Sequence, residues 1–287
     1  MNSSLQSEPL TLALAAKEAK LLKALAGFDS LIVAYSGGVD SSTLAHYARV
    51  ALGERARIVI AISPSLATSE LADARKQAAV ANFNLIEIYT DEVDSSDYRA
   101  NDSMRCFFCK NTLFAVLEAM RNNNGIAAIA YGANLDDLND YRPGHQAAKQ
   151  YGVIAPLIEA GLSKADIRML ARKEGLPSAD RPQAACLSSR FAEHTYITPE
   201  RLALVDMLEQ VVRSFDFDQV RVRYLALGDD IKLSVEVGAD QVDRFKNEDE
   251  LEQNLLAALF ARAGAAQARI SAIEIDQEGY KQGKAAR

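Results

Sequence analysis

Hydrophobic residues in the first two thirds of the chain occur in short unbroken runs and in helically spaced stripes. Four runs have the apolar character of buried parallel strands, at residues 31–35, 58–62, 85–89 and 127–131. Helical spacing is found at residues 10–26, 69–81, 107–121 and 163–174. A further helical stretch follows the first apolar run, after a short turn that is rich in glycine, and continues to Val50. Strands that alternate with helices are typical of a doubly wound parallel sheet. The pattern therefore predicts an α/β domain, with Ser163 as the N-cap of its last helix.

The pattern changes after residues 176–199, which contain three prolines and have no clear periodicity. We interpret this stretch as a junction that also carries function. Two alternating runs, 220–225 and 231–237, are joined by Gly228-Asp229-Asp230, which is a hairpin signal. The remaining predicted elements are helices at 199–213 and 248–262 and a strand at 268–275. Together they predict a smaller α+β domain with antiparallel pairing.

The length of 287 residues, of which 49% are apolar, suits two domains with a sizeable core. We place the domains at residues 1–185 and 186–287, with residues 277–287 as a frayed tail. Asp and Glu total 39 against 32 Lys and Arg, a net charge of −7, which argues against broad nucleic-acid binding. No apolar run approaches the roughly 18 residues of a membrane span. The N-terminus lacks the features of a signal peptide, so we expect a cytoplasmic protein.

A glycine-rich turn, Ser36-Gly37-Gly38-Val39-Asp40-Ser41, lies between a predicted buried strand and a helix. Glycines let the backbone approach a phosphate, and the N–H groups of a helix N-terminus attract its negative charge. The turn is neither a Walker A loop nor a dinucleotide-binding fingerprint. Asp40 would repel phosphate unless it holds Mg²⁺ or orients a backbone donor. The alternative is a tight turn with Asp40 or Ser41 as N-cap.

The chain has three cysteines, Cys106 and Cys109 in a C-x-x-C pair and Cys186 alone. An odd number of cysteines in a reducing compartment is a poor disulfide framework. A structural zinc site needs a fourth ligand, and neither His145 nor His194 has ligand spacing. A thioredoxin-type dithiol or inert buried thiols are further alternatives. Three thiolates suit a [4Fe–4S] cluster with one iron left open for an exogenous sulfide.

The glycine-rich turn closely resembles the PP-loop of the ATP pyrophosphatase superfamily. That resemblance implies cleavage of ATP to AMP and pyrophosphate, with Mg²⁺, by a PP-loop domain. In this superfamily the end of the next strand contacts adenine, which implicates Ala61, Ile62 and Ser63. The ATP-binding residues that the resemblance implies are Ala34, Ser36, Gly37, Gly38, Asp40, Ser41, Ser42, Ala61, Ser63 and Gly132.

Further motifs resemble the LarE family of ATP-dependent sulfur transferases, which act in nickel-pincer nucleotide biosynthesis. They are Arg105-Cys106-Phe107-Phe108-Cys109-Lys110, Gly132-Ala133-Asn134-Leu135-Asp136-Asp137, Asp140-Tyr141-Arg142-Pro143-Gly144, Ala155-Pro156-Leu157, Cys186-Leu187-Ser188-Ser189-Arg190 and Arg221-Val222-Arg223. The resemblance implies adenylation of a carboxylate of pyridinium-3,5-biscarboxylate mononucleotide, followed by exchange of oxygen for sulfur. One branch of the family sacrifices the sulfur of a single cysteine, at the position of Cys186. Three cysteines resemble the other branch, which implies that Cys106, Cys109 and Cys186 are catalytic and hold a [4Fe–4S] cluster.

Arg221 and Arg223 alternate with apolar residues, so they share one face of the predicted strand. One interpretation is a solvated sheet face. The functional interpretation is a site that binds the substrate phosphate through Ser189, Arg190, Arg221 and Arg223. The family resemblance implies that Glu209 and Asp240 orient these arginines. The family usually has His-Gly after Arg-x-Arg, whereas Tyr224-Leu225 stand here.

Two other functions stay open at this point. A PP-loop tRNA thiolase would also use three cysteines, although the net charge of −7 weighs against a tRNA substrate. A nucleotide-binding module could sense ATP or redox state without turnover. The resemblance also implies a homo-oligomer, such as a hexamer built through the smaller domain. The source of the transferred sulfur is not indicated.

Overall fold

The computed structural model describes residues 11–139, 143–228, 230–265 and 269–281. The chain divides into two compact units. Unit 1 contains the residues up to 63 together with 70–92 and 106–184, and unit 2 contains 64–69, 93–105 and the residues from 185 onwards. The domain boundary placed after residue 185 therefore lies one residue from a boundary of unit 2. The two earlier segments of unit 2 have no counterpart in the domains expected from the sequence.

The helices and strands follow one another in this order: α1 Leu12–Ala26, β1 Leu31–Tyr35, α2 Val39–Leu52, β2 Ala56–Ile62, α3 Thr68–Val80, β3 Leu85–Tyr89, α4 Ser96–Arg99, α5 Arg105–Asn124, β4 Ala128–Tyr131, α6 Pro143–Gln150, α7 Pro156–Glu159, α8 Lys164–Lys173, α9 Pro199–Arg213, β5 Val220–Leu227, β6 Asp230–Val237, α10 Arg244–Asn247, α11 Leu251–Ala265 and β7 Ile270–Ile275. Short 3-10 turns occupy Gly53–Arg55, Glu92–Asp94, Leu135–Asn139 and Leu187–Arg190.

Unit 1 is built on a parallel sheet with strand order β3-β2-β1-β4. The α/β fold and the four predicted strands are thus confirmed. The strands are apolar because helices cover them: Ile32, Val59 and Ile129 pack in one core with Phe114 and Leu117 of α5. Strand β1 lies between β2 and β4. The chain adds β2 and then β3 on one side of β1, and afterwards crosses over to add β4 on the other side. Such a switch point is where open α/β sheets bind ligands.

Two helix starts in unit 1 follow from local chemistry. Ser163 caps α8, and its hydroxyl and the Asp166 carboxylate form a reciprocal capping box, so the predicted N-cap is confirmed. Helix α6 is not among the elements that the sequence pattern predicts, since Pro143 and Gly144 stand there only as part of a motif. Proline is nevertheless well suited to the first position of a helix, since its missing N–H has no intrahelical partner there.

Unit 2 contains a three-stranded sheet with order β5-β6-β7. Strands β5 and β6 form the predicted antiparallel hairpin, with Arg221 opposite Glu236 and Arg223 opposite Ser234. The expectation of antiparallel pairing throughout is wrong for β7, which runs parallel to β6. The reason is that α10 and α11 lie between these strands and return the chain to the same end of the sheet.

The two early segments are tied to unit 2 by backbone hydrogen bonds. The amide of Leu187 donates to the carbonyl of Ser65 over 2.9 Å, and the amide of Ile197 donates to the carbonyl of Arg99 over 2.9 Å. The Tyr98 hydroxyl lies 2.5 Å from the Ser188 hydroxyl in a buried contact. These bonds explain why stretches so distant in sequence join the same unit. None of the described helices combines the length and apolar character that crossing a bilayer requires.

Candidate active site

The glycine-rich turn connects β1 to α2 in unit 1. Gly37 has a φ of +75°, and a Cβ there would lie 2.9 Å from the Cβ of Ala74, so both conformation and space require glycine. The turn is closed by Ser41, whose hydroxyl donates to the carbonyl of Gly38 over 3.0 Å and accepts from the amide of Ser36 over 3.1 Å.

The start of α2 carries no side-chain cap. Gly38 is the N-cap and has no side chain that could cap the helix, so the alternative with Asp40 or Ser41 as N-cap is excluded. The physical reason is that Ser41 folds back onto the turn, while Asp40 lies inside the first turn of the helix. The leading N–H groups of α2 therefore have the arrangement that binds an anion at a helix N-terminus.

Gly132 follows β4 and packs against the first turn of α2. A Cβ on Gly132 would lie 2.6 Å from the amide nitrogen of Ser41 and 2.9 Å from the carbonyl carbon of Asp40. Both atoms belong to the backbone, so no side-chain rotation can relieve the overlap. The end of β4 thus fixes the position of the start of α2 through direct backbone contact.

Asp40 is held by a lysine that the sequence did not indicate. Lys164 Nζ lies 2.6 Å from Asp40 Oδ2, and the backbone N–H of Lys164 donates to Asp136 Oδ2 over 2.8 Å. Burial raises the pKa of the Asp40 carboxyl above its usual value, and the neighbouring Lys164 ammonium opposes that rise.

Two buried oxygens of this region lack ordinary hydrogen bonds. Asp40 Oδ1 and Ser42 Oγ have no partner of ordinary hydrogen-bond geometry among the described residues. Buried polar atoms normally have partners, so a buried carboxylate oxygen that lacks a hydrogen bond of ordinary geometry beside the glycine-rich turn suits a cation. Carboxylate oxygens are the ligands that Mg²⁺ prefers. The residues present therefore fit the Mg²⁺ that accompanies a bound nucleoside triphosphate.

The other residues implicated in ATP binding lie on β1 and β2 or directly after β2. Ala34 is half-buried in β1, and Ala61 is half-buried near the carboxyl end of β2. Ser63 follows β2, and its hydroxyl donates to Glu92 Oε1 over 2.5 Å. Because β1 and β2 are parallel neighbours, Ala61 and Ser63 lie at the sheet edge where β1 leads into the glycine-rich turn. Their contact with adenine stays a prediction.

The two cysteines of unit 1 lie on the first two turns of α5. Cys106 is exposed and Cys109 is half-buried, and none of the three cysteines of the chain forms a disulfide. Residues three apart on a helix are neighbours on its surface, so these two thiols can act on one ligand. Among the described residues, however, no three His, Cys, Asp or Glu side chains are grouped to hold a metal ion. The described residues thus do not by themselves display a complete cluster site, and the [4Fe–4S] cluster stays a prediction.

The two candidate histidines have other surroundings. His145 lies on α6 and meets Tyr131 edge to face, with ring centroids 5.9 Å apart. His194 has a φ of +65°, and its backbone N–H donates to the carbonyl of Asn101. Neither belongs to a group of potential metal ligands in the described part of the chain.

In unit 2, Cys186 is exposed and immediately precedes the 3-10 turn Leu187–Arg190. The side chain of Arg190 is only 1% exposed and pairs with Glu209, through Nε to Oε1 over 2.8 Å and Nη2 to Oε2 over 3.0 Å. Arg190 Nη1 donates to the carbonyl of Cys186 over 3.0 Å and to the hydroxyl of Ser189 over 3.1 Å. The guanidinium that was expected to bind phosphate is therefore engaged by its own unit.

The two arginines of β5 are also buried, which excludes a solvated sheet face. Arg223 pairs with Glu236, its Nε lying 3.1 Å from Oε2, and its Nη1 donates to the carbonyl of Ser189 over 2.9 Å. Arg221 lies over the ring of Tyr280 at 5.0 Å. Asp240, which was expected to orient these arginines, is exposed in the turn after β6. Phosphate binding by Ser189, Arg190, Arg221 and Arg223 stays a prediction. The burial of Arg190 and its pairing with Glu209 argue against this role for Arg190 itself.

Comparison with known proteins places these features in a family. No family model matches the chain. An uncharacterised protein of Synechocystis sp. is 37% identical over 256 residues, covering 89% of this chain and 91% of its own length. The pyridinium-3,5-bisthiocarboxylic acid mononucleotide synthase of Lactiplantibacillus plantarum is 32% identical over 212 residues, covering 74% of this chain and 77% of its own length. The chain belongs to the LarE family. An uncharacterised protein of Methanocaldococcus jannaschii is 26% identical over 225 residues, covering 76% of this chain and 85% of its own length.

The structure explains one departure from the LarE family pattern. Tyr224, which stands where the family usually has histidine, is buried, and its ring lies 4.9 Å from that of Phe191. The guanidinium of Arg201 lies 5.3 Å from the same ring. In this member of the LarE family, Tyr224 therefore packs the end of the Cys186 turn onto β5. The sequence pattern showed the substitution but not this packing role.

Proposed function

We propose that the chain is an ATP-dependent enzyme that exchanges a carboxylate oxygen of pyridinium-3,5-biscarboxylate mononucleotide for sulfur. The proposal is supported by membership of the LarE family, one member of which is named for the corresponding bisthiocarboxylic acid. It is also supported by the glycine-rich turn of the PP-loop type in unit 1. Both are needed, because a PP-loop alone is compatible with several acceptors of the adenylyl group.

The observation that carries the proposal is the orphaned, buried Oδ1 of Asp40 beside the uncapped start of α2. The N–H groups at the start of α2 and the hydroxyl of Ser36 would bind the β- and γ-phosphates of ATP, while the hydroxyl of Ser41 closes the turn. Asp40 would ligate Mg²⁺ through Oδ1, while Lys164 holds Oδ2 in place. Together these groups stabilise the negative charge that develops on departing pyrophosphate.

The chemistry follows in two displacements. A substrate carboxylate oxygen attacks the α-phosphorus of ATP, the bond to the β-phosphate oxygen breaks, and pyrophosphate leaves. A sulfur nucleophile at the oxidation level of sulfide then attacks the acyl carbon, and the C–O bond to AMP breaks. AMP leaves with the oxygen, and a thiocarboxylate remains. The carboxylate needs ATP because oxide alone is not a feasible leaving group.

We propose that the transferred sulfur is supplied through the thiols of Cys106, Cys109 and Cys186. A [4Fe–4S] cluster on these three residues would supply anionic sulfide through its open iron, as the family resemblance implies. The exposed thiols of Cys106 and Cys186 and the half-buried thiol of Cys109 are compatible with ligand or nucleophile roles. We propose further that Ser189, Arg221 and Arg223 of unit 2 attract the substrate phosphate.

The test is AMP and pyrophosphate formation by anaerobically purified protein, with and without the mononucleotide, in the wild type and in Asp40→Asn. We expect substrate-dependent formation of both products by the wild type and a loss of about 10²-fold in the variant, the effect of removing one electrostatic stabiliser. Pyrophosphate release that requires tRNA and not the mononucleotide would contradict the proposal. So would no pyrophosphate release with either acceptor.

The sulfur source has its own test, anaerobic iron and sulfide analysis of Cys106→Ala, Cys109→Ala and Cys186→Ala. Equal loss of iron in all three variants is expected for shared ligation. Iron-free wild-type protein that converts Cys186 to dehydroalanine during one turnover would contradict the cluster and indicate a sacrificial cysteine instead. The implied homo-oligomer is tested separately by sedimentation equilibrium.

A further inference from the structure

The backbone carbonyls around Cys186 are bound by arginine side chains of unit 2. Arg190 Nη1 donates to the carbonyls of Ala185 over 2.7 Å and of Cys186 over 3.0 Å. Arg105 Nη1 donates to the carbonyl of Ser188 over 3.0 Å, and Arg223 Nη1 donates to that of Ser189 over 2.9 Å. Four carbonyls within five consecutive residues thus accept charge-assisted hydrogen bonds, which are about twice as strong as neutral ones.

Arg190 is the central member of this arrangement, because its guanidinium donates to the carbonyl of Cys186 itself. Its two remaining guanidinium nitrogens are held by Glu209, whose side chain is only 2% exposed. Glu209 Oε1 also accepts the backbone N–H of Val222 in β5 over 3.1 Å. A continuous chain of hydrogen bonds therefore runs from β5 through Glu209 and Arg190 to the carbonyl of Cys186.

The geometry leads us to propose that Arg190 and Glu209 are positioning residues that fix the orientation of the Cys186 thiol, and that Arg190 does not bind the substrate phosphate. The functional consequence rests on the proposed sulfur transfer. A guanidinium that is 1% exposed and directed toward Glu209 and its own loop meets phosphate only if the loop rearranges. This buried guanidinium binds the carbonyl of Cys186, whereas the side chain of Cys186 is exposed.

The physical benefit is preorganisation. A nucleophile or ligand that is held in its reactive orientation avoids the entropic cost of being ordered during the reaction, and a displacement of about 1 Å can cost about 10²-fold in rate. Strand β5 supplies the rigid support, and the buried ion pair transmits it to the loop.

The test uses Arg190→Met/Glu209→Gln, because removing Arg190 alone would leave a buried, unpaired carboxylate and endanger folding. The glutamine side chain introduced by Glu209→Gln is not charged, and its amide oxygen can still accept the N–H of Val222. The matched control is Arg244→Met/Glu248→Gln, which removes an exposed bidentate Arg–Glu pair of the same unit, with Nε to Oε1 at 2.6 Å and Nη2 to Oε2 at 3.1 Å.

The first readout does not require activity. Cys186 is labelled with a trifluoromethyl probe in full-length Cys106→Ala/Cys109→Ala protein, and its ¹⁹F spectrum is recorded. We expect one narrow resonance in the parent and in the Arg244/Glu248 control, and several or broadened resonances in the Arg190/Glu209 variant. One narrow, unshifted resonance in the Arg190/Glu209 variant would overturn the proposal, whether or not the enzyme transfers sulfur.

The second readout is steady-state kinetics of the protein with all three cysteines. A positioning role predicts that kcat for thiocarboxylate formation falls by roughly 10- to 100-fold, with KM for the mononucleotide nearly unchanged. A phosphate ligand predicts the opposite, a rise of about tenfold or more in KM, since one charge-assisted hydrogen bond contributes about 1.5–3 kcal/mol. Absence of turnover in the wild type would refute the proposed function and leave the ¹⁹F result as the test of positioning.

Discussion

The substitution Gly132→Ala tests how the proposed ATP site is built, because it adds one methyl group between β4 and α2. The added Cβ would lie 2.6 Å from the amide nitrogen of Ser41, where ordinary contact begins at 3.4 Å. It would also lie 2.9 Å from both the carbonyl carbon of Asp40 and the Cα of Ser41. Since all three are backbone atoms, relief requires that the strand or the helix start move.

The cost follows from this overlap. Overpacking of a well-packed interior destabilises a protein by about 1–3 kcal/mol, and each kcal/mol lowers the Tm by about 2–4 °C for a domain of 150–250 residues. The same movement displaces the N–H groups that would bind the phosphates, so we expect ATP affinity to fall by about tenfold or more. Differential scanning calorimetry measures the first effect, and isothermal titration with ATP and Mg²⁺ measures the second.

Gly264→Ala is the matched control. Gly264 lies within α11, and a Cβ there meets no atom within 4 Å. Alanine is favoured over glycine in a helix by about 0.5–1 kcal/mol, so this variant should be slightly more stable and bind ATP normally. Wild-type stability together with wild-type ATP affinity in Gly132→Ala would refute the contact between β4 and the start of α2.

Three further predictions concern single side chains. Asp166→Asn should remove the part of the pH dependence of the free energy of unfolding that the Asp166 carboxylate confers at acid pH. Burial opposes its charge, but hydrogen bonds from Lys17 and Ser163 prevail and lower its pKa, so its stabilisation is present above its ordinary pKa of 3.8 and is lost as the pH falls further. Urea unfolding should show a loss of about 1 kcal/mol at pH 7 that shrinks at lower pH, and a pH-independent difference would contradict this. Tyr224→Ala should lower the free energy of unfolding by about 3–5 kcal/mol and Tyr224→Phe by less than about 1.5 kcal/mol, by the same assay, because the ring is buried; equal losses would contradict the packing role. Asp40→Asn should weaken ATP binding about tenfold more in Mg²⁺ than in EDTA, by titration calorimetry, since the ion pair with Lys164 is lost in both conditions and the metal contact only in the first; equal weakening in both would assign Asp40 to the turn itself.

The features of unit 1 that the sequence pattern predicts are those determined by local chemistry. The unbroken apolar run Leu31–Tyr35 indicates a buried parallel strand, and the glycines after it indicate close approach of the backbone. Ser163 with Asp166 three residues later is a capping signal that can be recognised directly. The contact of Lys164 with Asp40 depends on how α8 packs against α2, which no local pattern encodes.

In unit 2, the pattern predicts the hairpin but not the direction of β7 or the surroundings of the arginines. An alternating run is the same in parallel and antiparallel pairing, so the direction is decided by the helices before it. Alternation places Arg221 and Arg223 on one face, yet it cannot tell that Arg223 meets Glu236 while Arg190 meets Glu209. Segments 64–69 and 93–105 have no compositional signal that distinguishes them from the elements of unit 1 around them.

The most direct test of the central claim is mass spectrometry of the small-molecule product. Anaerobically purified protein is incubated with ATP, Mg²⁺, a sulfide source and pyridinium-3,5-biscarboxylate mononucleotide, and AMP is measured in the same sample. We predict a product in which sulfur replaces one carboxylate oxygen, formed with one AMP for each exchange and about 10²-fold more slowly with Asp40→Asn. An unchanged mononucleotide, or sulfur incorporation that does not require ATP, would contradict the account.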